Sequence, residues 1–410
     1  MGRPERRQRD TLIGGGNAGL RAPPAFVPLK NVAVPSRPLR LVVVNTEFHT
    51  GGAESSTARV FTAISQRGHK VDWCALYRPG PTGTMLATQG QSIASGFMRG
   101  RADLAGFLKA AVWLRAKRPD VVWFIAQPAT VFWAQMAARL AGAACVAAVH
   151  NTIEFDALSW RHPYRWMFRF IDQIVCVAEH QRHGLLESAR LSPSRVCRIY
   201  NGVDAQEVQP AQRGRARQAL RVGEGEIVAG MVARLYPIKG VDIFIRAARL
   251  CLDQDPRLRF VVIGDGPEGD VLRRLVGELG LQDRVLLFGH RDDVQDILPG
   301  FDIGVLSSRS EALPMGLLEY MAAGLPVVAT KVGSVEELVV SERTGLLVDP
   351  KAPQMLADAI LRLSREPEFL SVLGEAGRRR AQQFFSLEST VRETEALCRS
   401  LQLARSAQSH

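Results

Sequence analysis

This chain of 410 residues has no run approaching 18 consecutive apolar residues; its most apolar helical stretch, Ala129 to Ala144, is interrupted by Gln135 and Arg139. No membrane-spanning helix is therefore expected. No apolar signal core opens the sequence, so export by that route is not expected either. The six cysteines, Cys74, Cys145, Cys176, Cys197, Cys251 and Cys398, are widely spaced without a Cys-x-x-Cys, and most lie in apolar, strand-like runs. They read as reduced core thiols of a cytoplasmic protein, not as a disulfide or zinc framework. No Gly-Lys-Ser/Thr follows the paired glycines Gly51-Gly52, which excludes a Walker loop. No Asp-x-Asp stands in a convincing metal position; Asp253-Gln-Asp255 falls in a helix-to-strand turn. There is no internal repeat beyond a shared βα period.

What is present has the balance of a soluble globular protein, 46% hydrophobic and 23% charged, and is long enough for two domains. The net charge of +11 is unevenly spread. Residues 1–40 hold eight Arg or Lys against two acids, which is +6 and leaves +5 for the other 370. This Arg-, Gly- and Pro-rich tail is expected to be disordered; it suits an anionic membrane surface, nucleic acid or plain solvation.

From Leu39 onward strand and helix patterns alternate. Arg40 to Thr46, Lys70 to Leu76, Asp120 to Ala126, Ala144 to His150 and Gln173 to Ala178 read as buried strands, with helices around Leu104 to Lys117 and near Val131 to Leu140. Such alternation argues for a parallel sheet covered on both faces. Gly51-Gly52 lies between the first strand and a helix expected from about Ser55, where backbone can approach a ligand. His150 ends its strand, where open α/β sheets bind ligands, although a histidine there is also compatible with a structural role. The segment 160–170 interleaves aromatic and basic side chains; it suits a membrane interface, a sugar-stacking surface or simple packing on the core.

The chain is organised around residues 307 to 330. Phe301 to Leu306 leads into a polar turn carrying Glu311; Pro314 opens a helix carrying Glu319; Gly324-Leu-Pro326 closes it before a strand, Val327 to Thr330. The two carboxylates, eight residues apart, can both face the mouth of the sheet. The first-turn N–H groups of Met315, Gly316 and Leu317 favour an anion such as phosphate. Earlier in the same half, Arg234 and Lys239 stand in a strand-to-helix loop from which they can converge on one diphosphate. Gly264-Asp-Gly266-Pro-Glu-Gly269 formally matches a dinucleotide fingerprint. Pro267, its mid-chain position and the placement of Asp283 before the next strand weigh against NAD.

These motifs resemble the donor site of retaining nucleotide-sugar glycosyltransferases of family 4, whose fold, GT-B, sets two Rossmann-like domains across a cleft. The resemblance rests on Glu311-x7-Glu319 with Pro314, the Asp302-Ile-Gly-Val-Leu-Ser-Ser308 strand, the Arg234-x4-Lys239 pair and the Gly-x-Gly-Pro turn. It covers residues 40 to about 400. It departs at Ala312, where the family often has Gly. It implies that Arg234 and Lys239 stabilise the diphosphate leaving group, Glu311 orients donor sugar hydroxyls, Glu319 holds the ribose, and His150 touches the donor sugar. It further implies that Gly51 and Gly52 face the diphosphate and acceptor, that Gly266 turns near the nucleotide, and that Gly289 to Val294, with Arg291, meets the base largely through backbone groups. Asn201-Gly-Val-Asp204 would mark the passage between domains.

The expectation is therefore an α/β chain with a tail over 1–38, an acceptor-side domain over 39–205, a donor domain over 206–380, and a C-terminal helix over 381–410 that Ser386 caps and that crosses back. The expected function is retaining transfer from a UDP- or GDP-linked sugar to a glycan or lipid-linked acceptor, in cell-surface polysaccharide or glycolipid synthesis, with no cofactor and no metal. The place expected is the cytoplasm, with peripheral contact with an anionic inner membrane face left open. A nucleotide-sugar epimerase and a tail-driven nucleic-acid binder are the alternatives, and no nucleic-acid partner is expected.

Overall fold

The computed structural model describes residues 37–150, 167–168, 170–189, 191–204 and 212–408. Residues 1–36 of the basic tail and most of the aromatic-basic segment 160–170 lie outside them. Thirteen strands are described, in two all-parallel sheets. The first contains β1 (Arg40–Asn45), β2 (Lys70–Ala75), β3 (Ser92–Ser95), β4 (Val121–Ile125), β5 (Ala144–Val149), β6 (Gln173–Cys176) and β7 (Val196–Arg198), in the order β3-β2-β1-β4-β5-β6-β7. The second contains β8 (Ile227–Val232), β9 (Leu258–Ile263), β10 (Val285–Leu287), β11 (Ile303–Leu306), β12 (Val327–Thr330) and β13 (Leu346–Val348), in the order β10-β9-β8-β11-β12-β13.

The near-continuous apolar strands are explained by cover on both faces. In β1, Leu41 and Val43 join one buried cluster while Val42 and Val44 join another. In β9, Phe260 and Val262 face one core, and Val261 and Ile263 the opposite one. Period-two side chains of a single strand thus feed two cores, as a doubly wound sheet requires.

Both sheets reverse strand order beside their first strand, between β1 and β4 and between β8 and β11. The loops that leave these strands diverge and open a crevice at the carboxyl ends. Topology alone therefore gathers residues 46–52 with 126–130, and residues 233–240 with 307–315.

Several boundaries differ from the sequence reading. The helix after β1 is Gly52–Gln66, beginning at the second glycine and not near Ser55. The helix expected near Val131 begins at Pro128, whose lack of an N–H costs nothing in a first turn. Folded structure starts before Leu39: Arg37 pairs with Asp120 at 2.7 Å. The edge strand β3 had no signature, because Ser-Ile-Ala-Ser is short and only half-buried.

The final helix, Leu387–Gln408, begins after Ser386, whose Oγ accepts the N–H of Ser389 at 3.2 Å. Its Val391, Leu397, Cys398 and Leu401 complete the core built on Leu41, Val43, Trp73 and Trp123 of the first sheet. The returning chain lies beside the outgoing one: the Val203 N–H donates to Phe385 O at 2.9 Å and the Leu387 N–H to Val203 O at 3.0 Å. The described cysteines are free, and all but the half-buried Cys197 are buried. Burial raises the Cys74 thiol to about 12, so it stays protonated and apolar in character.

Candidate active site

The turn after β11 and the loop after β8 are joined by backbone contacts. Gly240 has φ +63, and a Cβ there would lie 2.1 Å from Ser307 O. Only glycine admits that approach. The Ser307 hydroxyl donates to Gly240 O at 2.8 Å, and the Arg309 N–H to Ile238 O at 2.7 Å. Across this seam Glu311, buried in the turn, accepts hydrogen bonds on Oε1 from Lys239 Nζ at 2.7 Å and from Ser308 Oγ at 2.6 Å.

The helix Met315–Ala322 follows. Leu317, Leu318 and Met321 anchor it in the core, and Tyr320 Oη accepts the Val232 N–H at 2.6 Å, fastening it to the end of β8. Its N-cap is Pro314; no side chain caps it and no acid stands in its first turn. The N–H groups of Met315, Gly316 and Leu317 are thus left for an external acceptor at the positive end of the helix dipole. Leu317 serves through its backbone, since its side chain is fully buried.

The glycine turn after β9 supports the Arg234 loop. Gly264 has φ +137, and a Cβ would lie 1.9 Å from Ala233 O; at Gly266 one would lie 2.6 Å from Leu235 O. The Leu235 N–H donates to Asp265 O at 2.9 Å and the Glu268 N–H to Leu235 O at 3.1 Å. Loop-on-loop packing therefore accounts for the glycine spacing that resembles a dinucleotide fingerprint. Arg234, so held, is exposed; its guanidinium carbon lies 5.2 Å from the Tyr236 ring, and among the described residues it makes no salt bridge.

Arg291 is placed differently from Arg234 and Lys239. It forks onto Asp293, Nε at 2.8 Å and Nη2 at 2.6 Å, and this hydrogen bonding holds the Asp293 carboxyl below the usual carboxylate range. Its guanidinium is thereby engaged, leaving backbone groups up to Val294, which opens the short helix Val294–Ile297.

From the first sheet, the glycine loop reaches over. Gly51 is extended, φ −177°, and begins the helix as its N-cap, while Gly52 abuts Met315: a Cβ there would lie 3.3 Å from Met315 Cγ. His150, half-buried as a residue, follows β5 with both ring nitrogens shielded from solvent, and among the described residues neither has a hydrogen-bond partner. Burial drives its pKa down to about 4, so at neutral pH it is an uncharged imidazole with a donor and an acceptor to offer.

Sequence reasoning missed two residues on this side. Glu54 is buried in the first turn of Gly52–Gln66; burial raises its pKa, opposed by its own N–H and by the charges of His49 and of Arg234 from the second sheet. Arg59, one turn on, lies 3.8 Å from Glu319 across the cleft. A Glu in a first turn ordinarily complements the helix dipole, and nothing local signals that this one is buried. The structure thus joins Lys239 with Glu311, Gly52 with Met315, and Glu319 with Arg59. In the loop after β8, Lys239 is held by Glu311 at 2.7 Å, while Arg234 is exposed. Among the described residues no group of three or more His, Cys, Asp or Glu side chains converges as metal ligands.

Beneath the first crevice lies a cavity of about 670 Å³, lined by Glu47, His49, Tyr77, Arg101, Gln127 and Phe132 among others. Its mixture of aromatic, charged and amide groups matches what a small polar ligand with an apolar part needs.

The two crevices correspond to two known sequence patterns. A model of the glycosyl transferases group 1 matches residues 212–380, and one of glycosyltransferase family 4 matches residues 50–207. The chain belongs to the family 4 glycosyltransferases. This family 4 chain is 32% identical over 237 residues to a D-inositol 3-phosphate glycosyltransferase of Saccharomonospora viridis, which takes in 55% of the chain and 54% of that protein. It thus spans about half the length of that relative. It is 25% identical over 301 residues to the UDP-Gal:alpha-D-GlcNAc-diphosphoundecaprenol alpha-1,3-galactosyltransferase of Escherichia coli, covering 70% of the chain and 77% of that protein. Among solved structures it resembles Anabaena HepE in complex with UDP and glucose, TM-score 0.77 at 21% identity, over 87% of this chain and 98% of that one. It also resembles WaaG, a glycosyltransferase involved in lipopolysaccharide biosynthesis, TM-score 0.67 at 16% identity, over 86% of this chain and 98% of that one. These likenesses are of fold, and the fold is GT-B.

Proposed function

We propose that this chain is a retaining hexosyltransferase that moves a sugar from a UDP- or GDP-linked donor to a glycan or lipid-linked acceptor, in cell-surface polysaccharide or glycolipid synthesis. The observation that carries the reading is the arrangement at the second crevice. An uncapped helix N-terminus, an exposed Arg234 and the Lys239–Glu311 pair stand within one welded loop pair. In our division, residues 39–205 are the acceptor side, 206–380 the donor side, and 381–410 the return to the first domain.

The diphosphate would lie on the N–H groups of Met315, Gly316 and Leu317, with Arg234 over its oxygens. Lys239 would turn from Glu311 to the same phosphates as the sugar bond breaks and negative charge gathers there. Releasing Glu311 frees its buried carboxylate for donor sugar hydroxyls. Preorganised charge of this kind is worth about 3–4 kcal/mol per group in water-excluded sites, so it can carry the leaving-group chemistry without a metal. Glu319 would accept the ribose hydroxyls, exchanging its cross-cleft approach to Arg59 for them. Neutral His150 would donate to the sugar. Gly51 and Gly52 would let the acceptor loop close on the diphosphate, and Gly266 and residues 289–294, Arg291 among them, would bound the base. Retention follows if the acceptor oxygen attacks the anomeric carbon from the face that the phosphate leaves, the acceptor proton passing to the departing phosphate oxygen.

The relatives support this reading: one is named for a diphosphoundecaprenol acceptor and a UDP sugar, and a fold neighbour was solved with UDP. Peripheral work at the inner membrane face fits such an acceptor. The test is product analysis by proton NMR after incubation with UDP-glucose, UDP-galactose, UDP-N-acetylglucosamine or GDP-mannose and lipid-diphosphate sugars. A new α-linked product with release of the nucleoside diphosphate supports the reading; conversion of one nucleotide sugar into its epimer, with no release, overturns it.

A further inference from the structure

Helices Leu104–Lys117 and Pro128–Leu140 cover the same part of the first sheet and pack on each other in parallel. Phe107 and Trp133 meet near their starts, ring centroids 4.7 Å apart, and Arg115 Nη1 donates to Leu140 O at 2.8 Å near their ends. Their inward residues, Phe107, Ala110, Ala111 and Leu114 on one and Val131, Ala134, Ala137 and Ala138 on the other, fill the core. The outward faces are unusual. Leu104, Leu108 and Val112 recur every fourth residue on the first helix, and Phe132, Met136 and Leu140 do the same on the second; all six are between 38% and 69% exposed. A water-facing helix normally shows polar residues there. Along the second helix the outward face carries one charge, Arg139.

Around these two apolar stripes basic side chains predominate, although Lys117 is paired with Asp72 at 2.6 Å. Residues 99–118 contain Arg99, Arg101, Lys109, Arg115, Lys117 and Arg118 against the acids Asp103 and none other, and residues 128–140 contain no acid. Asp103 is occupied as the N-cap of the first helix, accepting the Gly106 and Arg99 N–H groups at 2.8 and 2.9 Å. Arg99, Arg101, Lys109 and Arg118 are exposed. At the N-terminal end of the stripes Arg101 and Phe132 also line the cavity beneath the first crevice. The apolar face and the cavity are therefore continuous.

We propose that the paired outer faces of these two helices seat the protein on an anionic lipid bilayer. The apolar stripes enter the headgroup boundary and the surrounding Arg and Lys meet lipid phosphates; neither helix is long and apolar enough to span. Seated so, the cavity mouth faces the membrane, and a lipid-linked acceptor enters it past Phe132 without leaving the bilayer. That last step rests on the proposed acceptor class; the docking itself rests on the surface alone.

The test is co-sedimentation of the full chain with phosphatidylcholine vesicles, with and without phosphatidylglycerol, alongside calorimetry with UDP and GDP. Wild type is expected to bind the phosphatidylglycerol vesicles, and to bind less as salt rises. The double variant Leu108→Glu/Met136→Glu should lose at least about tenfold in vesicle affinity while nucleotide affinity and the circular dichroism spectrum stay unchanged. Lys109→Glu/Arg118→Glu should weaken binding by about tenfold or more on the anionic vesicles. Val271→Glu and Val372→Glu, exposed apolar positions of the second domain, should change nothing. The proposal is overturned if wild type ignores the vesicles, or if Leu108→Glu/Met136→Glu binds them as well as wild type. It is equally overturned if that variant merely turns a dimer into a monomer in light scattering, which would make the face a contact between copies. Failure of nucleotide binding in every protein would strike the enzymatic reading and leave the vesicle result to stand alone.

Discussion

The half-buried Lys239 and the buried Glu311 form a pair whose worth lies in what it can release. With the ammonium removed, Glu311 keeps a carboxylate in a buried turn with only Ser308 Oγ at 2.6 Å. Lys239→Ala is therefore expected to lower kcat by about 10²–10³ with a smaller effect on KM, because the cation acts on charge that develops as the bond breaks. Steady-state transfer kinetics check it, and an unchanged kcat would remove Lys239 from the chemistry. His150 gives a separate signature in stability. Its folded pKa, near 4, lies below the ordinary 6.5, so as pH falls the unfolded chain takes up this proton first. Stability is untouched above about pH 6.5, declines between there and about pH 4, and levels off below, with a total near 3 kcal/mol at about 1.4 per pH unit. Denaturant titrations across that window should show this slope in wild type and its loss in His150→Asn. Residues of this kind were half legible. Glu311, Glu319, Arg234 and Lys239 were singled out by turn signals together with the family resemblance, and the structure sets them on the loops after β8 and β11 and the helix that follows. Glu54 and Arg59 could not, since burial of one and the cross-cleft approach of the other arise only when two sheets meet.

At the scale of elements, backbone shape sets where side chains stand. Gly264→Ala would force a methyl to within 1.9 Å of Ala233 O at φ +137, so either the turn unwinds or the Arg234 loop moves. A loss of roughly 1–3 kcal/mol in unfolding free energy is expected, with donor affinity reduced as well although residue 264 touches no donor. Thermal melts and calorimetry on one preparation check both. The same turn shows why a motif can mislead: glycine spacing for close backbone approach looks alike whether the neighbour is a pyrophosphate or residues 233–235. Strand positions were legible because buried parallel strands are apolar on both faces. The edge strand β3 was not, being short and half-exposed, and helix starts slipped by three residues where Gly52 and Pro128 lead the first turn.

At the scale of the molecule, the chain crosses between sheets and returns alongside itself at Val203 and Phe385, so its last helix belongs to the core of the first half. Removing residues 387–410 would uncover the sites of Val391, Leu397, Cys398 and Leu401. At about 1.5 kcal/mol or more for each buried apolar side chain, the loss is roughly 6 kcal/mol, within the whole stability of an ordinary domain. The truncated chain is expected to be insoluble or to melt as two separate transitions, seen by calorimetry. Two domains followed from length and βα alternation, and the cleft from the family resemblance, but which helices carry apolar outer faces did not, because an i, i+4 stripe reads alike whether it faces a core or a bilayer.

The central claim is that the second crevice binds a nucleotide sugar through its helix N-terminus, its Arg and Lys, and its two carboxylates. The most direct test is calorimetric titration of UDP, GDP and their common sugars, with EDTA present, into wild type and Glu319→Ala. Binding of one nucleotide series without metal, weakened about tenfold or more in Glu319→Ala, is the predicted result, a carboxylate that holds a ribose hydroxyl contributing about 1.5–3 kcal/mol. Absence of binding by every nucleotide, or equal binding by both proteins, would contradict it.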